Sequence, residues 1–158
     1  MKKITPFLWF DTQAEEAAKF YASVFPNSKI LKTARYGEAG PGPKGSVMTV
    51  EFELAGQRMI ALNGGPHFKF TEAISLSVDC KDQKEVDHYW TKLSQGGQES
   101  MCGWLKDRYG LSWQVNPAIL GELLSGPDVK KAKRLMEAML KMKKIDIAAL
   151  KAAAEAAS

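Results

Sequence analysis

The stretch Ala73-Ile74-Ser75-Leu76-Ser77-Val78, then Asp82 and the run Lys84 to Ser94, decides the fold, because it restarts an order the chain has already used once. Apolar and polar residues alternate from Ala73 to Val78, which predicts a strand. Lys84 to Ser94 reads as a helix, with Asp82 as its N-cap and Gly96-Gly97 as its stop. Two more strands are expected near Ser100–Leu105 and Leu111–Asn116, joined by the turn Asp107-Arg108-Tyr109-Gly110. Upstream, Ile4 to Phe10 reads as a strand. Gln13 to Val24 reads as a helix, since Ala14, Ala17, Ala18, Tyr21 and Phe25 recur at helical spacing. Thr12 is its expected N-cap, with Glu15 completing a capping box. Strands follow at Ser28–Tyr36, Ser46–Leu54 and Arg58–Asn63. The glycines and prolines of Gly37 to Pro43 mark a loop, and Ala55-Gly56-Gln57 a tight turn. Strand, helix and several strands thus occur twice, which is an internal structural repeat. The second copy looks abbreviated.

The end of the chain has a different pattern. Asp128 is placed to cap a helix whose apolar residues Ala132, Leu135, Met136, Met139, Leu140 and Met142 form a one-sided stripe. Asp146 is placed to cap a last, alanine-rich helix reaching about Ala157. The reading divides the chain into a first module at 1–70, a second at 71–120, and C-terminal helices at 121–158.

Bulk composition narrows the class. The chain has 158 residues, 45% hydrophobic and 25% charged, which suits one globular domain or two small modules sharing a core. The net charge of +4 is concentrated late, at Lys130, Lys131, Lys133, Arg134, Lys141, Lys143 and Lys144. These charges lie opposite the apolar stripe, as on a solvated helix face, so neither nucleic acid nor membrane is an expected partner. Cys80 and Cys102 form no CxxC pair, which fits a reducing compartment. The apolar run from Ile4 to Phe10 is short, holds Pro6 and runs into Asp11, unlike a signal peptide. The expected location is the cytoplasm.

Particular residues carry a family resemblance. They include Phe7-Leu8-Trp9-Phe10-Asp11, Lys19-Phe20-Tyr21, Ala73 to Asp79, and Lys106-Asp107-Arg108-Tyr109-Gly110 leading into Trp113-Gln114. Together with the doubled module, they resemble the vicinal-oxygen-chelate superfamily of glyoxalase I, extradiol dioxygenases and bleomycin-resistance proteins. Asn63-Gly64-Gly65-Pro66, Phe68 to Ala73, Cys102-Gly103-Trp104-Leu105 and Ser112-Trp113-Gln114 are similar to its PhnB-like subgroup, often labelled 3-demethylubiquinone-9 3-methyltransferase. The tail from Met136 to Asp146 resembles that subgroup too. The implied fold is α+β: two βαβββ modules, the second abbreviated, with a C-terminal helical tail. Each sheet then has helices on one side and a cavity on the other.

The resemblance also implies where a metal would be held in the superfamily's enzymes, on the first and fourth strands of each module. Here those places fall to Thr5 and Asn63 (or Ala61), then Ala73 and Gln114. None is His or Glu, so no metal or other cofactor is expected. Of the two histidines, His88 lies in a helix and His67 in the loop between modules.

Alternation assigns the faces. Leu8 and Phe10, then Met48, Val50, Phe52 and Leu54, then Ile74, Leu76 and Val78 belong under the helices. Thr5, Phe7, Trp9, Thr49, Glu51, Glu53, Ala73, Ser75, Ser77, Gln114 and Asn116 belong to the cavity. The ligand-binding candidates are Phe7, Trp9, Asn63, His67, Ser75, Ser77, Trp104 and Gln114. Aromatic walls with a few polar groups suit a small, partly apolar molecule, although the same aromatics also serve to fill a small half-barrel. Glu51 is the catalytic candidate. Burial beside aromatics would raise its pKa and fit it for proton transfer; pairing with Arg35 or Arg58 would make it structural.

Three functions follow. One is a small-molecule-binding protein lacking the usual metal site. A second is an isomerase, a lyase or, as the subgroup label suggests, a methyltransferase, using Glu51 or a nonstandard site. The third is a dimeric scaffold with a vestigial cavity. Gly37 to Gly45 has glycines but also Pro41 and Pro43, with no helix after it, unlike the Gly-rich loop of doubly wound S-adenosylmethionine enzymes. By resemblance, the chain is expected to be a homodimer.

Overall fold

Helix α1 (Ala14–Val24) lies against a sheet of β1 (Phe7–Phe10), β2 (Lys29–Arg35), β3 (Val47–Leu54) and β4 (Gln57–Asn63). The computed structural model describes residues 2–156. This first compact unit spans Met1–Phe70. Its strand order is β1-β4-β3-β2, with β1 parallel to β4 and the other pairs antiparallel. The sheet buries one face, so alternation in the sequence becomes a division of faces. Leu8, Phe10, Val50, Phe52 and Leu54 are buried, while Met48 is half-buried. Ala14, Ala17 and Ala18 are fully buried; their small side chains let the helix approach closely, and Tyr21 stacks on Phe52 with ring centroids 6.4 Å apart.

The start of α1 departs from the sequence reading. Thr12 is not the cap; Gln13 occupies that position and makes no side-chain capping bond. Glu15 pairs with Lys19 instead of closing a box. The Ala14 N–H donates to Asn63 Oδ1 at 2.8 Å, and Asn63 Nδ2 donates to the Val47 carbonyl at 3.1 Å. The Asn63 carbonyl also accepts the Tyr36 hydroxyl. The register Phe10↔Asn63 explains this. It brings the Asn63 amide beneath the helix at its first turn, where a side chain held by the sheet replaces a local cap.

The second unit, Thr71–Ser158, contains β5 (Leu76–Cys80), α2 (Gln83–Ser94), β6 (Gln98–Glu99), β7 (Trp104–Lys106) and β8 (Ser112–Pro117). The order β5-β8-β7-β6 repeats the first sheet. Asp82 caps α2 as expected, accepting the Glu85 N–H at 2.9 Å. All three strands after the helix exist, and the abbreviation falls on the two-residue β6. The single strand expected at Ser100–Leu105 is therefore a turn followed by β7. Cys102 (φ 59°) and Gly103 (φ 80°) adopt left-handed backbone there.

The fifth strand also starts late, at Leu76 rather than Ala73. Leu76 pairs with Trp113, close to the start of β8, so the preceding residues have no strand to pair with. Ile74 is accordingly 66% exposed and does not lie under α2. Leu105, Trp113, Val115 and Val78 do, packed with Val86, Tyr89, Trp90 and Leu93.

The tail forms α3 (Leu120–Ser125), α4 (Val129–Met139) and α5 (Ile147–Glu155). Helix α3, six residues long, is too short to register as a helical period in the sequence. Asp128 and Asp146 cap α4 and α5 as read; Ala157 lies outside the described residues. Leu120, Leu135, Ile145, Leu150 and Ala154 make a core of their own, with Met139 and Met142 against it. The stripe is split: Met136 and Leu140 are exposed at 39% and 56%. Cys102 N–H donates to the Met142 carbonyl and Gly103 N–H to that of Lys143, at 2.7 and 2.8 Å. Gln83 Oε1 accepts the Ile147 N–H, and its Nε2 donates to the Ile145 carbonyl. Helices α3, α4 and α5 thus fall within the second compact unit.

Asn63→Ala is expected to cost about 2 kcal/mol in urea unfolding, because it strips a helix-start N–H and a strand carbonyl of their partner. Thr12→Ala should stay within about 0.5 kcal/mol.

Candidate functional site

On the helix-free face of the first sheet, the register sets Phe7, Ile60, Glu51 and Lys32 in one row and Trp9, Leu62, Thr49 and Ala34 in the next. Phe7 is 55% exposed, whereas Trp9 is clamped. The Trp9 Nε1–H donates to the Gly65 carbonyl at 2.9 Å, and Phe68 meets the indole edge-on with centroids 4.9 Å apart. A Cβ on Gly64 would lie 2.3 Å from the Trp9 ring, so only glycine fits beneath it. Glu51 is ion-paired with Arg58 at 3.0 Å, and Arg58 also donates to Thr5 Oγ1. Of the two roles open to Glu51, the ion pair matches the structural one.

Asn63 does not face this side. Its register partner is the buried Phe10, and its amide is engaged beneath α1. Ala61 is likewise buried on the helix side. His67 is exposed and, with Asn63, lines a cleft of about 520 Å³ at the start of α1, together with Asp11, Glu15 and Tyr36. His88 is exposed and touches Tyr89 edge-on.

The second sheet brings more of the candidates together. The register sets Ser77, Gln114 and Trp104 side by side, with Asp79 and Asn116 in the next row. Gln114 Nε2 donates to Ser75 Oγ at 2.9 Å. Asn116 Nδ2 makes longer contacts of 3.4 Å to Ser77 Oγ and Gln114 Oε1. Serine hydroxyls and carboxamides thus form a connected polar row, with an indole at its side. Ala73 lies in the turn before β5, outside it.

At the far end of this face, Lys106 pairs with Ser112 across β7 and β8. Lys106 Nζ is ion-paired with Glu72, and that hydrogen bond holds the Glu72 carboxyl below its usual range. These residues, with Gln98, Ser100 and Trp104, line a pocket of about 270 Å³. The sequence reading missed Lys106, Ser112 and Glu72. The alternation that selected Gln114 also selects Ser112, two residues earlier on the same strand.

Among the described residues, no three His, Cys, Asp or Glu side chains converge as a metal site. Of the residues that the resemblance puts at metal positions, Thr5 and Ala73 precede β1 and β5 and Asn63 is engaged beneath α1; a hydroxyl, two carboxamides and a methyl side chain are not a divalent-ion set.

The sequence matches the 3-demethylubiquinone-9 3-methyltransferase family over residues 2–116. The chain belongs to that family. Its fold is that of the vicinal-oxygen-chelate superfamily. A PhnB protein from Bacillus cereus is 41% identical, with 74% of this chain covering 100% of that one and a TM-score of 0.68. A Pseudomonas aeruginosa protein (20% identity, 74% of this chain and 98% of that one, TM-score 0.62) shares the fold. So does the fosfomycin resistance protein FosX of Listeria monocytogenes (14%, 79% and 98%, TM-score 0.57). No curated protein gives a significant match. The matched residues end at 116, before the tail motif Met136–Asp146.

Glu51→Gln should lower stability by less than about 1 kcal/mol in urea unfolding, as for a partly exposed ion pair. The cysteines give a second test. Burial, then the nearby carboxylates of Glu85, Asp79 and Asp82, push the Cys80 thiol up to about 12. At pH 8 Cys80 stays a buried thiol, so a thiol-titrating disulfide reagent should find only the half-buried Cys102 until the protein is unfolded.

Proposed function

We propose that this protein binds a small molecule on the helix-free face of its second sheet, without the metal centre of its superfamily's enzymes. The observation that carries this reading is the connected row Ser75–Gln114–Asn116–Ser77 beside Trp104. A flat apolar wall next to a few oriented donors and acceptors is the usual composition of a small-molecule site. Neutral amides and hydroxyls hold a ligand by hydrogen bonds and leave it chemically unchanged. That favours binding over catalysis. Trp9 and Phe7 would serve the first face as apolar wall, with Glu51 held by Arg58.

The methyltransferase in the family's label finds less support. The glycines of Gly37 to Gly45 join antiparallel β2 to β3, and no helix follows them, so the phosphate-type cradle of a doubly wound sheet is lacking at that loop. The same reading makes the chain a cytoplasmic homodimer with no nucleic-acid or membrane partner. Strands β1 and β5 are each an edge strand of their sheet, and edge strands are where sheets pair with further strands. No described helix is long and apolar enough to cross a membrane.

Elemental analysis of the purified full chain, with thermal shift assays in Mn²⁺, Zn²⁺ and S-adenosylmethionine, tests the reading. The expected result is substoichiometric metal and an unmoved Tm with all three. One tightly held metal per chain, lost in Gln114→Ala, would sink the metal-free assignment. A saturable rise in Tm with S-adenosylmethionine would restore methyl transfer.

A further inference from the structure

The second sheet holds one polar group that the fold leaves unused. Ser112 is 1% exposed, and its Oγ has no hydrogen-bond partner. A buried hydroxyl without a partner is costly and is uncommon in a native interior. Ser112 lines the 270 Å³ pocket at the Lys106 end of the face.

The charges of that pocket are arranged unequally. Lys106 is rooted on β7, directly across from Ser112 on β8. Its carboxylate partner, Glu72, is not part of the sheet; it lies in the turn before β5 with its side chain 60% exposed. The other acid, Glu99, accepts the Trp90 indole N–H at 2.9 Å and is thereby engaged with α2. Besides Glu99, the strands hold in the pocket the Lys106 ammonium, which only donates, and the Ser112 hydroxyl, which can donate or accept. A charged donor beside a hydroxyl with its proton to give is complemented by a carboxylate. Trp104 supplies a flat wall beside them. A volume of 270 Å³ is below the roughly 300–1,000 Å³ of sites for drug-sized ligands, so the occupant is small.

We infer that this pocket takes the carboxylate of a small, single-ring organic acid between Lys106 and Ser112, and that Glu72 stands in for that carboxylate when the pocket is free. The inference rests on the proposed small-molecule reading and names its ligand class. Binding then exchanges one carboxylate for another on Lys106 and gives the Ser112 hydroxyl its acceptor. Glu72 competes with the ligand and sets a threshold for affinity.

Amide NMR titration of the full chain with benzoate, benzamide and benzylamine tests this. Benzoate should saturate, with shifts centred on Lys106, Ser112 and Trp104, and should bind at least tenfold more tightly than benzamide. Lys106→Met should abolish the preference for benzoate. Ser112→Ala should weaken benzoate about tenfold while leaving Tm unchanged or higher, since it deletes an unpartnered buried hydroxyl. That combination separates a ligand contact from a structural role. Glu72→Gln, at an exposed turn, should tighten benzoate several-fold. Tighter binding of benzylamine, or benzoate binding indifferent to both Lys106→Met and Ser112→Ala, overturns the inference. So does the absence of any benzoate response in both the parent protein and Glu72→Gln. Shifts confined to Ser75, Ser77 and Gln114 would also overturn it, yet leave the broader small-molecule reading standing.

Discussion

The Asp107 carboxylate governs the geometry of the second sheet. It is 2% exposed and accepts three N–H groups: those of Tyr109 and Leu111 in the backbone and the Trp113 indole at 2.8 Å. A buried carboxyl is tolerable when its oxygens are hydrogen-bonded in this way. The bonds close the turn between β7 and β8 and hold Trp113 on the helix side. Once Trp113 is under α2, the pleat sends Ser112 and Gln114 to the other face, and the antiparallel register sets Lys106 beside Ser112 and Trp104 beside Gln114. A slip of one residue would bury the polar row and expose the indole. Asn63 has the corresponding place in the first unit, where its amide ties β3 and β4 to the start of α1.

The two helix-free faces share a plan and differ in chemistry. The first carries Phe7, Trp9, Ile60 and Leu62 on β1 and β4, with the Glu51–Arg58 ion pair beside them. The second carries hydroxyls, carboxamides and an ammonium group. One fold hosts many chemistries because the pleat fixes positions and leaves side chains free. In this chain the Asn63 amide is engaged on both of its polar atoms, by the Ala14 N–H and the Val47 carbonyl. The tail adds to the same architecture. Its backbone N–H contacts at Cys102 and Gly103 require left-handed backbone at the turn before β7, where Gly103 has no room for a side chain: a Cβ would lie 2.8 Å from the Val115 carbonyl.

Much of this was legible residue by residue. The alternation of β3 and β8 and the alanine spacing of α1 correctly separated the buried faces from the open ones. Asp82, Asp128 and Asp146 were recognisable as caps because each bonds an N–H three residues ahead. Three features were not legible. The start of β5 depends on where its partner β8 begins, which is far away in the chain. The cap of α1 comes from Asn63, on another strand, so the local Thr12 signal misled. The stripe of α4 is split because successive helix residues point about 100° apart and the neighbouring helices cover Leu135 but not Met136.

By itself, the sequence determined the doubled module, the caps Asp82, Asp128 and Asp146, and the buried faces of β3 and β8. These follow from period, caps and residue identity, all local properties of the chain. Only the tertiary structure decided which of the outward residues act together. It engaged the Asn63 amide beneath α1, chose Arg58 rather than Arg35 as the partner of Glu51, and set Ser112 beside Lys106 and Glu72. Those outcomes depend on strand register and on a turn closed by a buried carboxylate, and register is a relation between distant segments that no local pattern encodes.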